Sequence, residues 1–151
     1  MSLTLRKLSR GAIRQLVEAI ERNPEAESWE IEVEDILLDG IGASHLYETA
    51  SALLLADDEG QIVGAALHYS DDRLPGAQYV ATVLVDHRYR RLGYGRSLLQ
   101  AVVTDAIGRS GRSYAVWIVH PENTVMLRLS RDLGEELGVD SVTGYVQFVY
   151  P

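Results

Sequence analysis

The stretch Arg88–Leu99, "RYRRLGYGRSLL", decides how this sequence is read. It sets Arg88, Arg90, Arg91 and Arg96 around Gly93 and Gly95, in a chain of formal net charge -8. Like charges repel, so the cluster calls for something negative beside it. Upstream, "AQYVATVLVD" (Ala77–Asp86) is rich in Val and Thr and predicts a strand. Downstream, from Gly95 to about Arg109, Leu98, Leu99, Val102, Val103, Ala106 and Ile107 share one helical face, with Gly111 as the stop. A strand, a glycine turn and a helix leave the N–H groups of the first helical turn unpaired at a positive dipole end. Glycine lets that backbone approach a ligand, and guanidinium forks match phosphate oxygens. The segment therefore predicts a phosphate or diphosphate site. The bland alternative is a tight turn with a solvated arginine face. Two better-known glycine patterns fail: no Lys follows Gly95, and Leu98 stands where the dinucleotide pattern needs a small residue.

Working outward, "SALLLADDEGQIVGAALHYS" (Ser51–Ser70) is two apolar runs joined by Asp57-Asp58-Glu59-Gly60, a β-hairpin signal. Ser9–Arg22 carries Ile13, Leu16, Val17 and Ile20 at helical spacing and ends at Asn23-Pro24. Trp29, Ile31 and Val33 alternate like a strand, but the acidic segment from Glu25 onward is otherwise unassigned. "DDRLPG" (Asp71–Gly76) is a loop. "SYAVWIVH" (Ser113–His120) is a buried strand, Pro121-Glu122-Asn123 opens a helix that stops near Gly134, and "TGYVQFVYP" (Thr143–Pro151) is a last strand. No repeat or linker divides residues 1–151, which read as a single domain: an α/β (α+β) mixed sheet flanked by helices.

Composition narrows the function. No apolar run approaches the ~20 residues of a membrane span, and the N-terminus shows no secretion signal. The absence of cysteine excludes disulfides and thiolate chemistry and fits a cytoplasmic protein. The acidic balance argues against nucleic-acid binding and permits a cationic substrate. The run Glu25, Glu27, Glu30, Glu32, Glu34 and Asp35 is negative enough to attract a polyamine or basic peptide, though such runs are commonly solvated faces.

Arg90-Arg91-Leu92-Gly93-Tyr94-Gly95 matches the Gln/Arg-x-x-Gly-x-Gly/Ala signature, and "VLVDHRYRRLGYGRSLL" resembles its usual approach, with His87 where proline is frequent. The chain thus resembles the GNAT superfamily of acyl-CoA-dependent N-acyltransferases. Asn123, opening a helix after "WIV" and ending at Leu133-Gly134, resembles the family's second stretch. The resemblance covers roughly Ala77–Gly134. It implies a mostly antiparallel sheet whose central parallel pair, Ala77–Asp86 and Ser113–Val119, splays open to hold acetyl-CoA as cosubstrate, with no metal. The pantetheine arm would pair with the backbone of Val83, Leu84 and Val85. The diphosphate would sit on the amides of Arg91, Leu92, Gly93, Tyr94, Gly95 and Arg96, with Arg90 and Asn123 also counted among the cosubstrate-binding residues. The implied activity is N-acetyltransfer to a primary amine of a small molecule or peptide; the alternative is a CoA-binding regulatory module without catalysis. A homodimer stays open.

A lysine-like amine of pKa about 10.4 is unprotonated in only about one molecule in two thousand at pH 7, so a base helps. His120, next to the splayed strand, is the first candidate; its alternative is a capping or packing role beside Pro121. Tyr79 and Thr82 could instead hold a relay water, and His68 and His87 are weaker candidates. The family's usual tyrosine position is occupied by Ser130, and Glu135 follows Gly134 where an aromatic is frequent. Tyr145 or Tyr150 could supply the missing phenol.

Overall fold

The computed structural model describes residues 2–7, 14, 15, 17, 18, 21–24, 51–70, 76–111 and 113–151. Among them, seven strands form one sheet: β1 (Ser2–Lys7), β2 (Ser51–Ala56), β3 (Ile62–Ser70), β4 (Ala77–Val85), β5 (Tyr114–Val119), β6 (Glu135–Val139) and β7 (Val146–Tyr150). Helix α1 (Tyr94–Ser110) connects β4 to β5, and helix α2 (Thr124–Leu133) connects β5 to β6. Residues 14, 15, 17, 18 and 21 are helical, inside the expected N-terminal helix. The alternation at Trp29, Ile31 and Val33, the acidic run and loop residues 71–75 lie outside the described residues.

The strand order is β1-β2-β3-β4-β5-β7-β6. Every neighbouring pair is antiparallel except β4 and β5, which are parallel. The mixed, mostly antiparallel sheet with a parallel central pair is therefore the one the sequence predicts. The β2–β3 hairpin forms because Asp57 Oδ1 accepts from the amides of Glu59 and Gln61, both at 2.9 Å, while Gly60 takes φ +81°. Strands β1 and β6 were not legible in the sequence.

Ile62–His68 of β3 are buried without a break, which means both faces of the sheet are covered. On one face, Leu98, Leu99, Val102, Val103 and Ala106 of α1 meet Ala66, Val80 and Val85, and Leu127 of α2 joins them with Ala115, Trp117, Val119 and Phe148. Gly111 ends α1 in the left-handed region, as its position predicts. Gly134 ends α2 for a different reason. A Cβ there would lie 2.7 Å from the Val149 carbonyl oxygen and 2.8 Å from Trp117, so only glycine lets the helix end descend onto the sheet.

Candidate active site

The site begins with a fault in the sheet. Strands β4 and β5 pair only through Ala77↔Tyr114, Gln78↔Ala115 and Tyr79↔Val116. Beyond Tyr79, β4 stays with β3 as far as Val85, and β5 stays with β7 as far as Val119. The two strands have parted. The cause is local: Leu67 pairs with Thr82 and His68 with Val80, so Ala81 is an extra residue in β4. Such a bulge bends its strand and breaks pairing. It sits two residues past the last parallel rung.

The orientation of the exposed β4 backbone follows from one bond. Asp86 N–H donates to the Val63 carbonyl at 2.8 Å, so residues 84 and 86 turn toward β3. Val83 and Val85 therefore turn toward the gap. This refines the sequence expectation for Val83, Leu84 and Val85: Leu84 spends its polar backbone on the ladder with β3. The Val85 carbonyl accepts from Arg90 Nε at 3.0 Å, leaving the Val83 N–H and C=O and the Val85 N–H aimed at the gap.

At the same end of β4, a 3-10 turn (His87–Tyr89) leads into the glycine segment and α1. Gly93 is the N-cap at φ +86°, with no side-chain cap and no acidic residue in the first turn. The first-turn amides are thus uncapped donors at a positive dipole end. A Cβ on Gly93 would meet nothing within 4 Å, and one on Gly95 only Leu129 at 3.7 Å, so neither position is walled off. Leu92 is exposed, Tyr94 packs partly against the core, and Arg91 adopts φ +64°, a strained value for a non-glycine residue.

The structure answers the arginine question differently from the sequence. Arg88 binds Asp86, with Nη2 to Oδ2 at 2.8 Å; Arg90 binds the Val85 carbonyl; Arg96 binds Asp132 at 2.9 Å. Arg91 alone of the four has no hydrogen-bond or ion-pair partner among the described residues. Two of the four charges are thus paired with carboxylates within the chain, which leaves the uncapped amides of α1 first and Arg91 second as the donors available to an anion.

His120 follows the free end of β5. Its Nδ1 accepts from the Glu122 N–H at 3.1 Å, and its ring stands edge-on to Tyr145 at 5.0 Å between centroids. A backbone N–H can only donate, so the neutral ring carries its proton on Nε2. This is the turn-capping alternative of the sequence reading. Proton uptake at Nδ1 requires breaking the bond to Glu122. Tyr145 comes within reach because Val119 pairs with Val146 in the last rung of the β5–β7 ladder, and 120 and 145 follow directly on either strand.

Asn123 caps α2, its Oδ1 accepting from Met126 N–H at 3.3 Å. Ser130 is fully buried and accepts from the Trp117 indole N–H at 2.9 Å. Its hydroxyl belongs to the packing between α2 and β5. Tyr79 packs against Tyr69 at 5.5 Å, and the Thr82 side chain lies outside the described residues. His68 is buried in a chain of contacts: Ser70 Oγ donates to Gln78 Oε1, Gln78 Nε2 donates to His68 Nδ1, and His68 Nε2–H donates to Asp105 Oδ2 at 2.7 Å. It clasps α1, through Asp105, to β3 and β4 beside the bulge.

Sequence reasoning missed Asp86. Its signal was present, since an Asp directly before a turn is a capping residue. Burial raises its pKa, but hydrogen bonds from Arg88 and Arg22 outweigh that and lower it from 3.8 to about 2.

Comparison with known proteins places these features in context. The profile of the acetyltransferase (GNAT) family matches residues 10–134. The PaiA N-acetyltransferase of Thermoplasma acidophilum, solved with coenzyme A, superposes with TM-score 0.70 at 18% identity, covering 99% of this chain and 98% of that one. The spermidine/spermine N-acetyltransferase SpeG of Vibrio cholerae, in mutant forms, gives 0.68 at 14% identity, covering 99% and 94%. A GNAT-family acetyltransferase of Staphylococcus aureus Mu50 gives 0.72 at 15% identity, covering 98% of each chain.

Proposed function

This chain belongs to the acetyltransferase (GNAT) family, and from that premise we propose that it transfers an acetyl group from acetyl-CoA to a primary amine of a small molecule or peptide. The observation that carries the reading is the juxtaposition of the β4–β5 gap with the uncapped N-terminus of α1. One offers strand-like backbone donors and acceptors; the other offers amides for a diphosphate.

The residues fit acetyl-CoA part by part. The Val83 N–H and C=O and the Val85 N–H take the pantetheine arm as an added strand would. The amides of Tyr94, Gly95 and Arg96 take the diphosphate, with Arg91 beside them. Asn123, its Oδ1 engaged in the cap, has its amide NH2 for the arm. Bound acetyl-CoA supplies the activated acyl carbon. A gap-facing N–H of β4 stabilises the negative charge that develops on the acyl oxygen when an amine attacks.

The attacking amine loses its proton to His120, whose Nδ1 releases the Glu122 N–H to take it, or to water held beside that ring. Tyr145, whose ring packs on His120, is the phenol this reading assigns to protonate the departing thiolate. A thiol of pKa about 8.5 leaves readily enough for this assistance to be modest. A net charge of -8 favours a cationic acceptor, and SpeG, a structural neighbour, acts on polyamines.

The test is a panel of amines, including spermidine and a lysine peptide, incubated with acetyl-CoA and read by thiol release. Turnover with any amine supports the proposal. Tight CoA binding without turnover across the panel would point to the non-catalytic module instead.

A further inference from the structure

We infer that Asp86 is a positioning residue for the diphosphate: its buried carboxylate ties the turn before the glycine segment to the end of the N-terminal helix, and so sets where the anion site stands relative to the β4 edge. The inference rests on the reading that the diphosphate of CoA lies on the amides that open α1.

Asp86 follows β4 directly, and its side chain is fully buried. Oδ2 accepts from Arg22 Nη2 and from Arg88 Nη2, both at 2.8 Å. Oδ1 accepts from the Arg88 amide at 3.0 Å and from Arg88 Nε at 3.2 Å. His87 Nδ1 stands 3.4 Å from Oδ1. A buried carboxylate is costly unless paired, and here two guanidinium groups pair it, one two residues on and one from a distant part of the chain. Arg22 is 64 residues away in sequence.

The geometry gives this clasp a function beyond stability. The glycine segment is held at its start by two ties only a few residues apart, Asp86 to Arg88 and Arg90 to the Val85 carbonyl. The segment from strained Arg91 to the Gly93 cap lies between these ties and the core-packed start of α1, so they fix its β4 end. Main-chain donors serve an anion only when held within about half an ångström of the productive geometry. Arg22 donates to the same oxygen, Oδ2, and so ties the turn to a second part of the chain besides Arg88.

The experiment compares Asp86→Asn and Arg22→Gln with the unmodified chain. Calorimetry gives the Kd for CoA, and NMR titration gives the Kd for acetylpantetheine, which lacks the diphosphate. The expected result is a rise in the CoA Kd of about tenfold for Asp86→Asn and about threefold for Arg22→Gln, as loss of charge-assisted hydrogen bonds implies, with acetylpantetheine unchanged. Equal weakening of both ligands would overturn the inference, because it would mark general loosening. An unchanged CoA Kd in both variants would also overturn it. Should Asp86→Asn not fold, Arg22→Gln and Arg88→Gln decide on the same criteria, since the two side chains are 45% and 47% exposed. Failure of the unmodified chain to bind CoA is a separate outcome: it removes the proposed function itself, and this inference with it.

Discussion

The indole N–H of Trp117 on β5 donates to the Ser130 hydroxyl on α2 across 2.9 Å, and both residues are buried. The serine at the position where the family usually has a tyrosine thus holds the sheet to the helix. Trp117 also stacks on Phe148 at 5.8 Å and lies against Gly134. Ser130→Ala leaves a buried donor unpaired, which costs about 1–3 kcal/mol. Urea denaturation should show that loss while the CoA Kd stays unchanged. A stability within error of the unmodified chain, with a lowered acetylation rate, would instead place Ser130 in the chemistry.

Gly95→Glu is the sharpest probe of the anion site. A side chain there meets only Leu129 at ordinary contact distance, so the fold is retained while a carboxylate is set against the diphosphate. CoA affinity should fall at least about a hundredfold, roughly 2.7 kcal/mol. Gly93 is a poorer choice because its φ of +86° makes any side chain strained. Unchanged affinity in Gly95→Glu means the site lies elsewhere.

The His68–Asp105 contact should behave as a coupled pair. His68→Leu strands the buried Gln78 amide and removes one partner of Asp105, and about 1–3 kcal/mol of stability should be lost. A double-mutant cycle with Asp105→Asn should return a coupling of about 0.5–3 kcal/mol. Additive losses would show that the two groups act independently.

Acid should weaken the fold through Asp86. Its folded pKa, about 2, lies below the ordinary 3.8, so the native state favours the ionised form. That contribution is fully present above pH 3.8 and is lost as pH falls toward 2, amounting to about 2 kcal/mol. Urea midpoints at pH 6 and pH 2.5 measure it, and Asp86→Asn should flatten the part due to this carboxyl.

If His120 takes the amine proton, His120→Ala lowers the rate mainly at low pH. There the amine is almost wholly protonated and depends on a base; at high pH it deprotonates unaided. The pH–rate profile of the variant checks this, and a uniform fall at all pH values would assign the ring to packing on Tyr145 and Glu122.

Much of this fold was legible because amphipathic faces advertise themselves. The β2–β3 hairpin, β4, α1, β5, α2 and β7 each bury an apolar set whose period names the element. Strand β6, "EELGV", had no such signal: mostly exposed at the sheet edge, it has little apolar surface to hide. The extra residue at Ala81 was equally silent, since its meaning depends on the partner strand. The glycine turn was readable because its chemistry lies in backbone and in Gly93 itself. The arginines were read too simply. Counting charges showed a cluster, but Asp132, 36 residues beyond Arg96, and Arg22, 64 before Asp86, are neighbours only after folding.

The bulge at Ala81 has a bearing on how such a protein tolerates change. The opening between the central strands depends on a residue count, not on the identity of any side chain. Drift among amino acids along β4 leaves that count alone and keeps the cleft open. Loss of a single codon there is expected to let the ladder zip closed and, with it, to erase the berth proposed for acetyl-CoA in one step.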